Sequence, residues 1–360
     1  MDYKRKKYHL DALRVLASFF VLFGHSDLRG QHYFMTTTVW NPSYWVSICL
    51  QQFTFVNIAI FFMISGALLL KKEEDLKTLF KKRILKYVLL IIVFGFFQCI
   101  YDCTIRYPEQ NFNLIEILKK IYSTSVIYQY WFLRSYLAFL IILPFLRILV
   151  KNMSDKLMYY LLGGYVIVFA ILPPLEILLG LDRIQLHVTF YTDLVILPLT
   201  GHFLENNFFP KVKWTKPRIL LSNVIMLAAW GVNVWYTFKR MEQGLFYYVA
   251  DGLTYLLMVG LYIDFRLICD KIKEKRLAKG KEKASIPGNI ISFLAGGSLM
   301  ILLFEPQLRE NTMFIYDNLV DKIKWLPADV VWLGTALIIA ACINFVKDLF
   351  LKTVKKIRQK

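Results

Sequence analysis

The chain has 360 residues, of which 57% are hydrophobic and 16% aromatic, and its formal net charge is +18. The apolar residues gather in runs near the roughly 20 residues that cross a ~30 Å hydrocarbon core, a composition that excludes an ordinary soluble domain. The basic charge lies in short segments between those runs, none long enough to be a nucleic-acid-binding module, and the five scattered cysteines have neither metal-ligand spacing nor a disulfide framework.

Ten apolar windows follow in chain order: 9–28, 45–70, 84–104, 130–150, 157–180, 188–206, 217–238, 246–265, 287–304 and 327–350. Residues 1–27 have the basic start and apolar run of a secretory signal. However, Arg14 interrupts the run and no small-x-small cleavage site follows, so a retained first helix is expected. The ninth window is the shortest, cut by Gly296-Gly297 and by Glu305-Pro306, and nine or eleven crossings fit the same pattern. The stretch Leu114 to Ile121 has helical periodicity and is expected to lie along the outer surface as an amphipathic helix.

Loop charge sets the orientation, because cytoplasmic segments carry excess Lys and Arg. With the N-terminus inside, the internal segments hold 30 basic residues and the external ones 10. The expected fold is an all-α integral membrane protein of about ten transmembrane helices with both termini cytoplasmic. It forms one transmembrane domain over 1–350 and a basic cytoplasmic tail over 351–360. The charge run from Asp270 to Lys283 is expected to be a solvated loop near anionic headgroups.

Ionisable residues inside hydrocarbon are costly, so each needs a partner or a function. The first window carries Arg14 and His25, eleven residues or three helical turns apart, which puts them on one face about 16 Å apart along the axis. Two readings fit that spacing. Either Arg14 snorkels to the cytoplasmic headgroups and His25 is a hydrogen-bonded helix-end residue, or both face one cavity, Arg14 toward the cytoplasm and His25 toward the outer half. Arg134, Glu176 and Asp193 are further ionisable residues near the outer half; Arg134 and Asp193 begin helices of the same direction and could pair, as a structural ion pair or as an accessory of the site. Ser65 precedes Gly66 and suits close helix packing, with an ester-forming acyl carrier as the alternative.

Several segments resemble, in order, the acyltransferase-3 family of multi-spanning membrane acyltransferases, which modify sugars of cell-wall and surface polysaccharides. Arg14 to His25 resembles the family's R-x10-H signature, and Phe61-Phe62-Met63-Ile64-Ser65-Gly66-Ala67-Leu68-Leu69 its F-F-x-I-S-G-x-L-L. Lys81 to Lys86 matches its arginine-bearing entry to the third helix, Trp131-Phe132-Leu133 with Pro144 its W-F-L and later proline, and Pro198-Leu199-Thr200-Gly201 its mid-chain glycine pattern. Ser298 to Pro306 aligns with S-F-G-I-Y-L-x-H-P, so Glu305 stands where many members have histidine, either as a substitute or as an interfacial acid.

The resemblance implies transfer of an acetyl or similar small acyl group from cytosolic acyl-coenzyme A to a hydroxyl of a glycan or lipid-linked sugar, in the cytoplasmic membrane. His25 would be the base, since a neutral imidazole fits that task near pH 7. Arg14 and Arg83 would hold the donor's phosphates or orient His25, with Lys86 as a further donor-binding residue; for Arg83 and Lys86 ordinary positive-inside anchoring is the other reading. No permanently bound cofactor or metal is expected. If a second step outside the membrane is needed, a separate extracytoplasmic transferase must supply it. The rival from another class is a transporter or flippase for a glycan or small solute, against which the lack of an internal repeat weighs.

Overall fold

The computed structural model describes residues 6–108, 113–123, 130–182, 184, 186, 191–242, 251–281 and 285–358. Among them the chain is helical, with no strand. We number the principal helices α1 (Tyr8–Gly24), α2 (Pro42–Leu69, interrupted at Phe55 and Val56), α3 (Leu76–Arg106), α4 (Leu114–Ser123), α5 (Trp131–Asn152) and α6 (Asp155–Leu179). Then follow α7 (Asp193–Phe203), α8 (Lys216–Glu242), α9 (Asp251–Leu277), α10 (Ile286–Gly296), α11 (Ser298–Ile323) and α12 (Trp325–Arg358).

Each of the ten apolar windows overlaps one of these helices, and the protein is a helical membrane protein. Among the described residues seven helices are long and apolar enough to cross a membrane. The bent pair α10 and α11, turned by 62° at Gly297, adds an eighth if it counts as one span. α4 is the helix expected at 114–121. The basic run expected as a loop from Asp270 is helical up to Leu277, where it continues α9; Lys4 and Arg5, the start of the sixth and eighth windows, the end of that run and the last two residues of the tail lie outside the described residues.

The chain packs as two compact units. The first comprises residues 1–61, 159–188 and 212–360, the second residues 62–158 and 189–211. In the first unit α1 is the inner helix: the first half of α2 and helices α9, α10, α11 and α12 all pack on it. Leu13, Ala17 and Leu22 are fully buried as a result. Seventeen residues rise about 25 Å, short of a full crossing. A helix wrapped by protein needs no lipid-facing apolar surface, which is why α1 tolerates polar side chains along its length.

In the second unit α2 and α7 approach until their backbones touch. A Cβ on Gly66 would lie 1.9 Å from the Pro198 carbonyl oxygen, and one on Gly201 would lie 1.9 Å from that of Met63. The two glycine motifs read from the sequence are therefore one reciprocal contact, the close approach that small residues permit between membrane helices. Around it Phe62 packs edge-on against Phe132 and Phe139.

Candidate active site

His25 is the residue that ends α1. Its amide N–H donates to the Leu22 carbonyl, and its half-buried ring leaves the helix axis at φ −108°. The ring Nδ1 lies 3.4 Å from Glu305 Oε1, an ion-pair distance that falls short of a well-formed hydrogen bond. Glu305 is 1% exposed. Its Oε1 also accepts from Arg309 Nε at 2.9 Å, one helical turn on, while Oε2 is buried with no hydrogen-bond partner among the described residues. A buried carboxylate without a cation is costly, and Arg309 supplies one to Glu305 beside His25.

The local sequence explains why Glu305 reaches the histidine. Pro306 lacks an amide hydrogen and disfavours helical geometry in the chain before it, and Phe304 has left the helix at φ −122°, ψ 15°. The break swings the Glu305 carboxyl out of α11 and toward the end of α1.

Arg14 sits in a second polar cluster nearer the start of α1. Its Nη1 donates to Asp11 Oδ1 at 3.0 Å, and Asp11 Oδ2 accepts from Ser292 Oγ of α10 at 3.0 Å and faces Lys6 Nζ at 3.5 Å. Between the two clusters Ser18 Oγ donates to Ser298 Oγ at 2.9 Å. Asp11, Ser18 and His25 are seven residues apart, two turns each, and meet Ser292, Ser298 and Glu305 in the same order. This polar ladder zips α1 to the bent pair. The sequence reading found only its last rung and missed Asp11, Ser18, Ser292, Ser298 and Arg309. The signal was present as polar residues recurring every seven positions, at 11, 18 and 25, in a mostly apolar helix.

The remaining expected site residues lie in the second unit, apart from Glu176 of α6, which accepts from the Ile184 amide. Arg83 Nε donates to Glu74 Oε2 at 2.9 Å, and the same oxygen accepts from Arg147 Nη2 at 3.2 Å. Hydrogen bonds from Arg83 first, and then from Arg147, hold the Glu74 carboxyl below its ordinary pKa. Arg83 is thus engaged with an acid, and Lys86 is exposed on α3. Arg134 Nη1 donates to the Tyr122 carbonyl at 2.9 Å and Nη2 to that of Ile121, which anchors α4 to α5; Asp193 is exposed at the start of α7. Ser65 Oγ donates to the Tyr136 hydroxyl at 3.3 Å.

A histidine at the end of an inner helix, with a buried glutamate at one ring nitrogen and a cation behind the glutamate, is an acid–base arrangement within a membrane protein. The family model of the acyltransferase domain matches residues 7–346, nearly the whole length and residues of both units. The chain belongs to the acyltransferase-3 family. It is therefore a membrane acyltransferase by family, and its Arg14 to His25 segment and its Ser298 to Pro306 segment, which carried the resemblance, are the two sides of the His25 and Glu305 contact. No curated protein and no solved structure matches the chain significantly.

Proposed function

We propose that this acyltransferase-3 protein is an O-acyltransferase of the cytoplasmic membrane. It moves an acetyl or similar small acyl group from cytosolic acyl-coenzyme A to a hydroxyl of a cell-surface or cell-wall glycan or a lipid-linked sugar. The observation that supports it most is the placement of His25 Nδ1 3.4 Å from the buried Glu305 carboxylate. With Nδ1–H turned to Glu305, Nε2 is the lone pair left for an acceptor hydroxyl.

The reaction balances on these groups. Nε2 takes the hydroxyl proton as the oxygen attacks the thioester carbonyl, and the new C–O bond forms. The C–S bond then breaks, and the imidazolium returns the proton to the departing coenzyme A thiolate. Glu305 stabilises the imidazolium while it exists and fixes the ring orientation, as an acid behind a catalytic histidine does elsewhere. It is a positioning residue. Arg14, held by Asp11 through Nη1, keeps one guanidinium edge for the donor.

The test is mass spectrometry of surface polysaccharide and wall glycan from cells expressing wild-type protein or His25→Ala. Loss of an acyl mass with the variant at normal membrane levels is the expected result. Unchanged glycan acylation refutes His25 as the base, and an acyl mass unaffected even by gene deletion refutes the acceptor class.

A further inference from the structure

The second unit contains a cavity of about 620 Å³, within the roughly 300–1,000 Å³ that takes small organic ligands. Four basic side chains line it, Lys71, Lys72, Arg147 and Lys151, against two acids, Glu73 and Glu74. Glu74 is already spent, bonded by Arg83 and Arg147 together. Arg147 is half-buried and donates in addition to the carbonyls of Leu69 and Glu74, which pins the turn after α2 to the end of α5. That pinning presents Lys71 and Lys72 from one side and Lys151 from the other, all three exposed. The buried His202 closes the floor from α7, with the Asn206 amide bonded to its ring and carbonyl.

Three lysines on a rigid, arginine-clamped frame around a ligand-sized hollow recognise several anionic oxygens at once. An ammonium group is a compact point charge that suits phosphate. The segments that carry the cavity, 71–83, 151–156 and 207–218, belong to the cytoplasmic set of the topology that loop charge predicts. We propose that this cavity binds the phosphates of the donor, coenzyme A's nucleotide end, through Lys71, Lys72 and Lys151. The identity of the nucleotide rests on the acyl-coenzyme A reading above; the cationic hollow stands without it, and an anionic lipid headgroup is the other source of the same phosphate chemistry. The assignment moves donor binding from Arg83, which Glu74 engages, to lysines that resemblance did not single out.

The test uses the purified full-length protein in non-ionic detergent. Dissociation constants are measured for coenzyme A, adenosine 3′,5′-bisphosphate and a short-chain phosphatidylglycerol. Coenzyme A and the bisphosphate are expected to bind wild-type protein and to bind Lys71→Gln/Lys72→Gln at least about tenfold more weakly, with Lys151→Gln weakened in the same sense. Lys77→Gln, a neighbouring lysine outside the cavity, is expected to leave the constants unchanged. In wild-type protein alone, coenzyme A is expected to shield Lys71, Lys72 and Lys151 from an amine-acylating reagent as read by peptide mass spectrometry, which decides the matter even if a variant fails to fold. Equal coenzyme A affinity in wild type and variants, with no shielding, overturns the cavity assignment and leaves the acyl-coenzyme A reading standing. Lysine-dependent binding of phosphatidylglycerol without any of coenzyme A overturns both and makes this a lipid site. Failure of all three ligands to bind overturns the proposal.

Discussion

In the proposed mechanism Glu305 positions and supports His25, because it is the acid that faces the imidazole. It is buried at the break before Pro306, with Arg309 at 2.9 Å on the same oxygen that faces the imidazole. Glu305→Gln keeps the shape and removes the charge that holds an imidazolium, so kcat for acyl transfer is expected to fall about 10²-fold with KM for the acyl donor nearly unchanged. A steady-state comparison on membranes with matched protein levels checks this, and a pure KM effect would assign Glu305 to binding instead. Glu74 offers a pH test. Its carboxyl is held below the ordinary 4.5, so the stability it contributes is complete above that value and is lost as pH falls through the lowered one. Thermal unfolding of the wild type in detergent is expected to weaken below about pH 4.5, and Glu74→Gln to flatten that acid slope. The same variant is expected to cost about 1–3 kcal/mol near neutral pH, since Arg83 and Arg147 lose their shared acceptor. An acid slope of equal steepness in both proteins would show that Glu74 does not set it.

At the scale of helices, two contacts organise the molecule, one polar and one of bare backbone. The ladder from Asp11 through Ser18 to His25 sets the register of α1 against the bent pair, so the position of Glu305 beside His25 depends on rungs two and four turns away. The contact of α2 with α7 depends instead on the absence of side chains. Gly66→Ala and Gly201→Ala each drive a methyl group into a carbonyl of the facing helix, and backbone cannot turn aside as a side chain can. Each is expected to destabilise the second unit by about 3 kcal/mol, the upper end of overpacking costs. Gly163→Ala, where a Cβ meets nothing within 4 Å, is the control. Unfolding midpoints in detergent that do not separate Gly66→Ala from Gly163→Ala would dissolve the argument. Both features were half visible in the residues: Ser65-Gly66 as a small pair, and His25 as an out-of-place polar group. Their partners were not, because nothing local says which helix a glycine faces or which side of a proline break a glutamate leaves.

For the whole molecule, the excess of basic residues in alternate loops predicts both ends in the cytoplasm. A single cysteine at Asn41, in a background with the native cysteines replaced by serine, is expected to react with a membrane-impermeant maleimide on intact cells. A single cysteine at Lys279 is expected to react only after permeabilisation. The opposite pattern would reverse the orientation, and with it the access of the proposed cytosolic donor to the cavity at Lys71. What the amino-acid sequence determined by itself was composition-driven: an apolar chain in windows of crossing length must be helical in a membrane, and the Arg14 to His25 and Phe61 to Leu69 segments mark its family. Long-range pairing was left to the tertiary structure. It gave Glu305 to His25 across 280 residues of chain, engaged Arg83 with Glu74, and gathered lysines from two helix ends around one hollow. The physical reason is that hydrocarbon dictates how many apolar residues a helix must show, while the cost of an unpaired buried charge is relieved only by whichever partner the fold brings near.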